Sequence, residues 1–205
     1  MKLIGMLDSP YVRRVAISLK ILNIPFEHLS ISVFSGFEKI KSINPVVKVP
    51  TLLTDEGEAL MDSTLILEYA ERLAKPDNTL EPIDLKTFAR AQRTLGLALA
   101  LCDKSVQAIY EYNLRPAEKQ HQPWLDRVFT QLTAALDLLE QDAKNANPWL
   151  FSNQILQADI TSAIAFRFAC DKLSGHVDAR NYPALSAFSA HAEATEAFLA
   201  FPYPN

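Results

Sequence analysis

Lys75-Pro76-Asp77-Asn78-Thr79-Leu80-Glu81-Pro82 carries two prolines and no hydrophobic period, between two stretches of opposite character. Proline has no backbone N–H and disfavours helix in the residue before it, so neither a helix nor a ladder of strands runs through such a stretch. It predicts a linker over 76–83 and divides the 205 residues into a first domain, 1–75, and a second, 84–205. That length suffices for two small cores.

The first part alternates. Lys2–Leu7 predicts a strand, and Val12, Val15, Ala16, Leu19 and Leu22 recur at helical spacing from Pro10 to about Asn23. Ile24-Pro25 ends that helix, and Phe26–Ile31 predicts a second strand. A short helix is expected over Gly36–Ser42, with Phe37 and Ile40 inward. Val49–Thr54 and Ala59–Met61 flank Asp55-Glu56-Gly57-Glu58, the pattern of a hairpin. A helix follows from Ser63, with Leu65, Ile66, Tyr69 and Leu73 on its apolar face. The order βαβαββα describes a small α/β unit with a mixed sheet.

Beyond the linker only helical periods occur. One helix is expected from about Asp84 to Asn113, and another over 122–145 through Leu125, Val128, Phe129, Leu132, Leu136 and Leu139. Residues 157–173 are apolar nearly all round, which suits the centre of an all-α bundle. Pro183 opens a last pattern through Leu185, Phe188 and Ala192, followed by Phe198, Leu199 and Phe201. Trp124, Trp149 and the phenylalanines read as packing.

The net charge is −4, with both signs spread along the chain. No basic stripe argues for nucleic acid and no apolar run has membrane-spanning length, so neither partner is expected. Cys102 and Cys170 lie far apart in helical patterns and read as core or interface thiols, and the four histidines are scattered. No metal site is expected. The absence of a signal-peptide pattern and of paired cysteines predicts a cytoplasmic setting.

Three short segments carry chemistry. Ser9 precedes Pro10, whose missing N–H suits the first helical position. Ser9 is then an N-cap, and its hydroxyl at the positive end of a helix dipole suits an anion as well. Val49-Pro50 opens an internal strand where proline donates no ladder bond; it reads either as a plain strand start or as a cis turn. A cis turn would leave the Val49 backbone for an extended ligand. Asp62-Ser63 opens the next helix, with Ser63 as its N-cap and Asp62 as an acid beside it. It serves either the helix alone or a zwitterionic amino acid, with Asp62 facing the ammonium and Ser63 the carboxylate.

Ser9-Pro10-Tyr11-Val12-Arg13, Asn44-Pro45-Val46-Val47-Lys48-Val49-Pro50-Thr51-Leu52, Asp62-Ser63 and Gln157-Ala158-Asp159-Ile160, in that order, resemble a glutathione S-transferase of the serine type found in bacteria. The resemblance covers essentially the whole chain. It implies an α/β thioredoxin-like N-terminal domain and an all-α C-terminal bundle, the former holding glutathione as co-substrate and the latter a small electrophile. It implies that Ser9 hydrogen-bonds the glutathione sulfur and favours its thiolate. Val49, before cis Pro50, would pair with the cysteinyl unit. Asp62 and Ser63 would hold the γ-glutamyl end, and Lys48, or Lys39 and Lys41, would meet the glycyl carboxylate. Tyr11 competes as the activating hydroxyl; Tyr110, Tyr112 and Arg115 are candidates to face the electrophile.

The chain departs from the family pattern in three places. Val47 stands where glycine is common, so a reshaped loop is expected before Val49. Leu156 stands where a capping Ser or Thr is usual, which removes half of a capping box. Position 9 is Ser rather than Cys, which argues against mixed-disulfide chemistry. The expected activity is conjugation of the glutathione thiolate to small apolar electrophiles. The alternatives are a glutathione-dependent isomerase or reductase, and a non-catalytic ligand-binding or protein-interaction module of the same fold. A homodimer is expected, formed by the last helix of the first domain against the partner's long helices near Arg90 and Arg93.

Overall fold

The computed structural model describes residues 1–75 and 77–204; Pro76, in the expected linker, and Asn205 lie outside the described residues. The chain forms two compact units, Met1–Leu80 with Ala194–Asn205, and Glu81–Glu193. The last twelve residues, expected to end the helical domain, group with the first unit instead.

In the first unit, β1 (Lys2–Ile4), β2 (Glu27–Leu29), β3 (Thr51–Leu53) and β4 (Ala59–Met61) form one sheet in the order β2-β1-β3-β4. β1 and β2 are parallel; β1–β3 and β3–β4 are antiparallel, with Ile4 opposite Thr51 and Thr51 opposite Met61. The expected strand over Lys2–Leu7 ends early because Gly5 turns the backbone at a φ of 135°, where side chains with a Cβ are strained. Helices α1 (Pro10–Ile21), α2 (Phe37–Lys41) and α3 (Ser63–Leu73) complete the alternation.

α1 is buried nearly all round: Val12, Val15, Ala16, Ile17 and Leu19 lose all contact with solvent, and so does Arg13. α3 packs on it, as does α8 (Glu196–Ala200). The Arg13 Nε donates to the Phe201 carbonyl at 2.9 Å, and its guanidinium lies 5.4 Å from the Phe198 ring centre and 5.7 Å from that of Tyr203. A carbonyl and two ring faces thus compensate a buried cation. This explains why the C-terminal segment joins the first unit; the apolar pattern of that segment does not say which core it enters.

Two expected faces need correction. Leu65 and Leu73 are 59% and 49% exposed, and the buried side of α3 is Ile66, Leu67 and Ala70. Apolar residues occupy more than half of this helix, so the period fits two overlapping stripes. In α2, Ile40 is buried but Phe37 is 45% exposed, because a five-residue helix turns only one such side chain inward.

The second unit contains α4 (Leu85–Leu114), α5 (Gln122–Ala143), α6 (Gln157–Lys172) and α7 (Pro183–Glu193). α6 is central, packed on α4 and α7, and Gln157 through Phe166 are all buried, as its continuous apolar pattern requires. Two buried acids tie this unit together. Glu140 of α5 accepts from the Ala184 and Leu185 amides at 3.1 and 2.8 Å, capping α7 from another helix. Asp159 accepts from the Leu156 and Leu150 amides, both at 2.8 Å. Leu156 offers no side-chain acceptor in return, so one half of the box is made.

Burial pushes the Asp159 carboxyl up to about 6, against the amides of Leu150, Leu156 and Asp159 itself, which pull it down. Its folded value thus lies above its unfolded one. Its contribution to stability is full below about pH 4 and fades as pH rises through 6. Asp159→Asn also loses one acceptor for two fixed N–H donors, at a cost of about 1–3 kcal/mol. Urea unfolding should therefore show the variant further below wild type at pH 4 than at pH 7. A gap that is constant with pH would contradict this.

Candidate functional site

The end of β1 is where the first unit brings its chemistry-bearing segments together. A Cβ on Gly5 would lie 2.5 Å from Val12 Cγ2 of α1 and 3.0 Å from Val49 Cβ. Glycine therefore allows the first turn of α1 and the chain entering β3 to close on the same strand end.

Ser9 sits between them as the N-cap of α1, half-buried, its Oγ accepting from the Val12 amide at a long 3.4 Å. Its amide donates to the Met6 carbonyl at 3.2 Å, which holds the turn. A capping hydroxyl uses a lone pair and keeps its proton, so capping and donation to an anion are compatible. Tyr11 lies in the first turn of α1 and is half-buried.

The 44–51 loop is held by Asn44, which is 5% exposed. Its Nδ2 donates to Thr51 Oγ1 at 2.9 Å and its Oδ1 accepts from the Val46 amide at 3.0 Å. Thr51 Oγ1 in turn donates to the Lys48 carbonyl at 2.6 Å. The Val49–Pro50 bond is cis. The Val49 side chain packs on the Ile4–Ile31–Ile40 cluster. Among the described residues, neither its N–H nor its C=O has a backbone partner. Val47, expected to reshape this loop, holds a φ of 54° that favours glycine, and its side chain joins the same cluster.

Asp62 also has a positive φ, 74°, and it caps α3 in place of the expected Ser63, which is the first helical residue: Asp62 Oδ1 accepts from the Thr64 amide at 2.9 Å. Such a conformation in a residue other than glycine costs about 1–3 kcal/mol and gathers at functional sites. Its other carboxylate oxygen is 3.8 Å from Lys48 Nζ, and both side chains are about half exposed. Ser63 is buried, and its Oγ accepts from Arg14 Nη1 at 3.2 Å. Thus Val12 and Val49 both close on Gly5, Lys48 meets Asp62, and Arg14 of α1 meets Ser63. These contacts join the three segments singled out in the sequence within the first unit.

The sequence model of the family described as glutathione S-transferase, N-terminal domain, matches residues 3–78. An uncharacterised GST-like protein of Escherichia coli (strain K12), YibF, is 34% identical over 140 residues, 68% of either chain. The solved glutathione S-transferase of Methylobacterium radiotolerans, in complex with glutathione sulfonate, superposes with a TM-score of 0.90 at 26% identity. That alignment covers 100% of this chain and 95% of the other. A probable maleylacetoacetate isomerase of Caenorhabditis elegans is 37% identical over 89 residues, 42% of this chain and 40% of its own. The chain belongs to the glutathione S-transferase family. Its four-stranded mixed sheet and helical remainder are the thioredoxin-like and all-α parts of that architecture.

The other candidates of this glutathione S-transferase chain are on other elements. Tyr110 is near the end of α4 and Arg115 is its C-cap, in the second unit. Tyr110 is 45% exposed, whereas Arg115 Nε is bound to the buried Glu111 carboxylate at 2.8 Å. Glu111 also accepts from the His121 amide, so the pair fastens the chain between α4 and α5. Tyr112 belongs to a stack with His176 and Phe129. Lys39 and Lys41 are exposed on α2, with Lys41 Nζ 6.0 Å from the Phe37 ring centre. Among the described residues no His, Cys, Asp and Glu cluster could hold a metal, and no helix is long and apolar enough to cross a membrane.

Sequence reasoning missed Gly5, Asn44 and Arg14. The first two had local signals: a glycine at the end of an apolar run, and an Asn-Pro turn. Arg14 had none, because a buried arginine looks like any charged residue of a surface helix.

Gly5→Ala tests the junction. It adds a methyl 2.5 Å from Val12 at a φ disfavoured for alanine. Overpacking of this kind costs about 1–3 kcal/mol, before backbone strain. Thermal unfolding should show a clear loss of stability; an unchanged midpoint would mean that Val12 and Val49 are not held against this glycine.

Proposed function

We propose that the chain is a cytoplasmic, homodimeric glutathione transferase that joins the glutathione sulfur to small apolar electrophiles. The observation that carries this reading is the set of contacts that joins the helix capped by Ser9, the Val49 loop and the Asp62-Ser63 helix start. It offers a donor at a helix N-terminus for sulfur, a free backbone edge for the cysteinyl unit, and an acid beside a second helix N-terminus for an amino-acid end.

In this reading Ser9 donates to the sulfur while its oxygen keeps the Val12 amide. A free thiol has a pKa of about 8.5, and lowering it by about two units takes roughly 2.7 kcal/mol. A hydroxyl donor with a helix dipole suits that task. Val49 pairs N–H and C=O with the cysteinyl backbone. Asp62 meets the γ-glutamyl ammonium, and Ser63 with the first amides of α3 meets its carboxylate. Lys48, 3.8 Å from Asp62, turns to the glycyl carboxylate as the ammonium takes its place. The thiolate then attacks an electrophilic carbon. A C–S bond forms, and the leaving group departs with its electron pair or, in an addition, the new carbanion takes a proton. Positioning supplies the rest of the acceleration.

The likeness to a probable maleylacetoacetate isomerase favours one second reading, a glutathione-dependent isomerase. The same thiolate would add to a double bond and leave again after rotation, so turnover of maleylacetoacetate without a conjugate would select it. A non-catalytic module would bind glutathione and turn over neither.

The dimer rests on exposed Met61, Leu65 and Leu73, which place a strip of apolar surface on β4 and α3. On the other expected surface, Arg93 is engaged by Asp142 at 3.0 Å and Arg90 lies over Phe151. Sedimentation at micromolar concentration should give twice the 22.9 kDa chain mass, and Leu65→Glu should give the single chain. A wild-type species at the single-chain mass contradicts the dimer.

Ultraviolet titration of the glutathione complex tests Ser9. Ser9→Ala should raise the bound thiol's pKa by about one unit or more and slow conjugation, with little loss of glutathione affinity. Superimposable titration curves would reduce Ser9 to a cap.

A further inference from the structure

Arg14 is 1% exposed on α1, yet its Nη1 reaches two hydroxyls at the start of α3: Ser63 Oγ at 3.2 Å and Thr64 Oγ1 at 3.3 Å. Guanidinium is a donor only and keeps its charge at every accessible pH. Toward Arg14, then, both hydroxyls act as acceptors, and each keeps its own proton for a partner elsewhere. The charge itself sits directly under the helix end whose amides already favour an anion. Thr64 is an exposed residue, whereas Ser63 is buried, so the Thr64 side chain stands at the rim of the pair. Asp62, with its Oδ1 on the Thr64 amide, adds a negative rim to this positive floor.

We propose that Arg14 is a positioning residue for the α-carboxylate of the γ-glutamyl group. It fixes the hydroxyl protons of Ser63 and Thr64 outward, makes Thr64 a second donor, and confers selectivity for ligands that keep this carboxylate. The inference rests on the reading that glutathione's γ-glutamyl end lies at the start of α3. Arg14 touches Ser63 and Thr64 and acts through them.

The experiment uses calorimetry with two unreactive probes on the full chain: S-methylglutathione, and S-methylcysteinylglycine, which lacks the γ-glutamyl group. Arg14→Met should weaken S-methylglutathione at least tenfold and leave S-methylcysteinylglycine as in wild type. In a conjugation assay it should raise KM for glutathione with little change in kcat. Arg14→Lys keeps the charge and one donor direction, and should recover part of the affinity. Thr64→Val keeps the fold secure because its position is exposed, and should weaken S-methylglutathione several-fold. Equal binding of S-methylglutathione by wild type and Thr64→Val, or equal loss of both probes in a folded Arg14→Met, overturns the inference while leaving the site reading intact. Failure of wild type to bind S-methylglutathione overturns the site reading and the inference with it.

Discussion

The close approach at Gly5 is the constraint on which the first unit's chemistry depends. Strand β1 ends there, and α1 and the chain entering β3 press on it through Val12 and Val49. A larger residue would separate the two. Ser9 would then cap a helix that stands away from Val49, and the Val49 backbone would lie apart from the helix N-terminus. The Asn44–Thr51 hydrogen bonds hold the same loop from its other side. Val47 and Val49 anchor it in the cluster around Ile4, Ile31 and Ile40. The loop is thus held by packing and by hydrogen bonds at once, the support a ligand-binding backbone edge requires.

Buried charge is the second organising element. Arg13 draws the C-terminal segment onto α1. Arg14 braces the start of α3. Glu140 and Asp159 satisfy backbone amides at helix starts in the second unit. An isolated buried ion is costly, so each of these residues commits its surroundings to one arrangement. They specify which segments meet, a task apolar pattern alone performs poorly.

This division explains what the sequence makes legible. Element order follows from periodicity and from proline and glycine, and the turn around Gly57 and the central position of α6 read directly from pattern. Ser9 stands out because a capping residue occupies a fixed place relative to the helix it begins; at α3 the pattern marks the helix start but not which of Asp62 and Ser63 is the cap. The buried side of α3 is not legible, because Leu65, Ile66, Leu67, Tyr69, Ala70 and Leu73 support two stripes that differ by one residue. The placement of Phe198, Phe201 and Tyr203 is not legible either, since it depends on an arginine nearly the whole chain away. Arg14 is invisible for the same reason: its role comes from tertiary proximity to Ser63 and Thr64, and helical spacing marks it only as polar.

The central claim is that glutathione lies along the surface from Ser9 through Val49 to Asp62 and Ser63. A crystal structure of the chain with glutathione bound tests it most directly. The account predicts the sulfur within hydrogen-bond distance of Ser9 Oγ, the cysteinyl backbone paired with both polar atoms of Val49, and the γ-glutamyl carboxylate at the start of α3. Glutathione bound elsewhere, or its cysteinyl unit turned away from Val49, would contradict it.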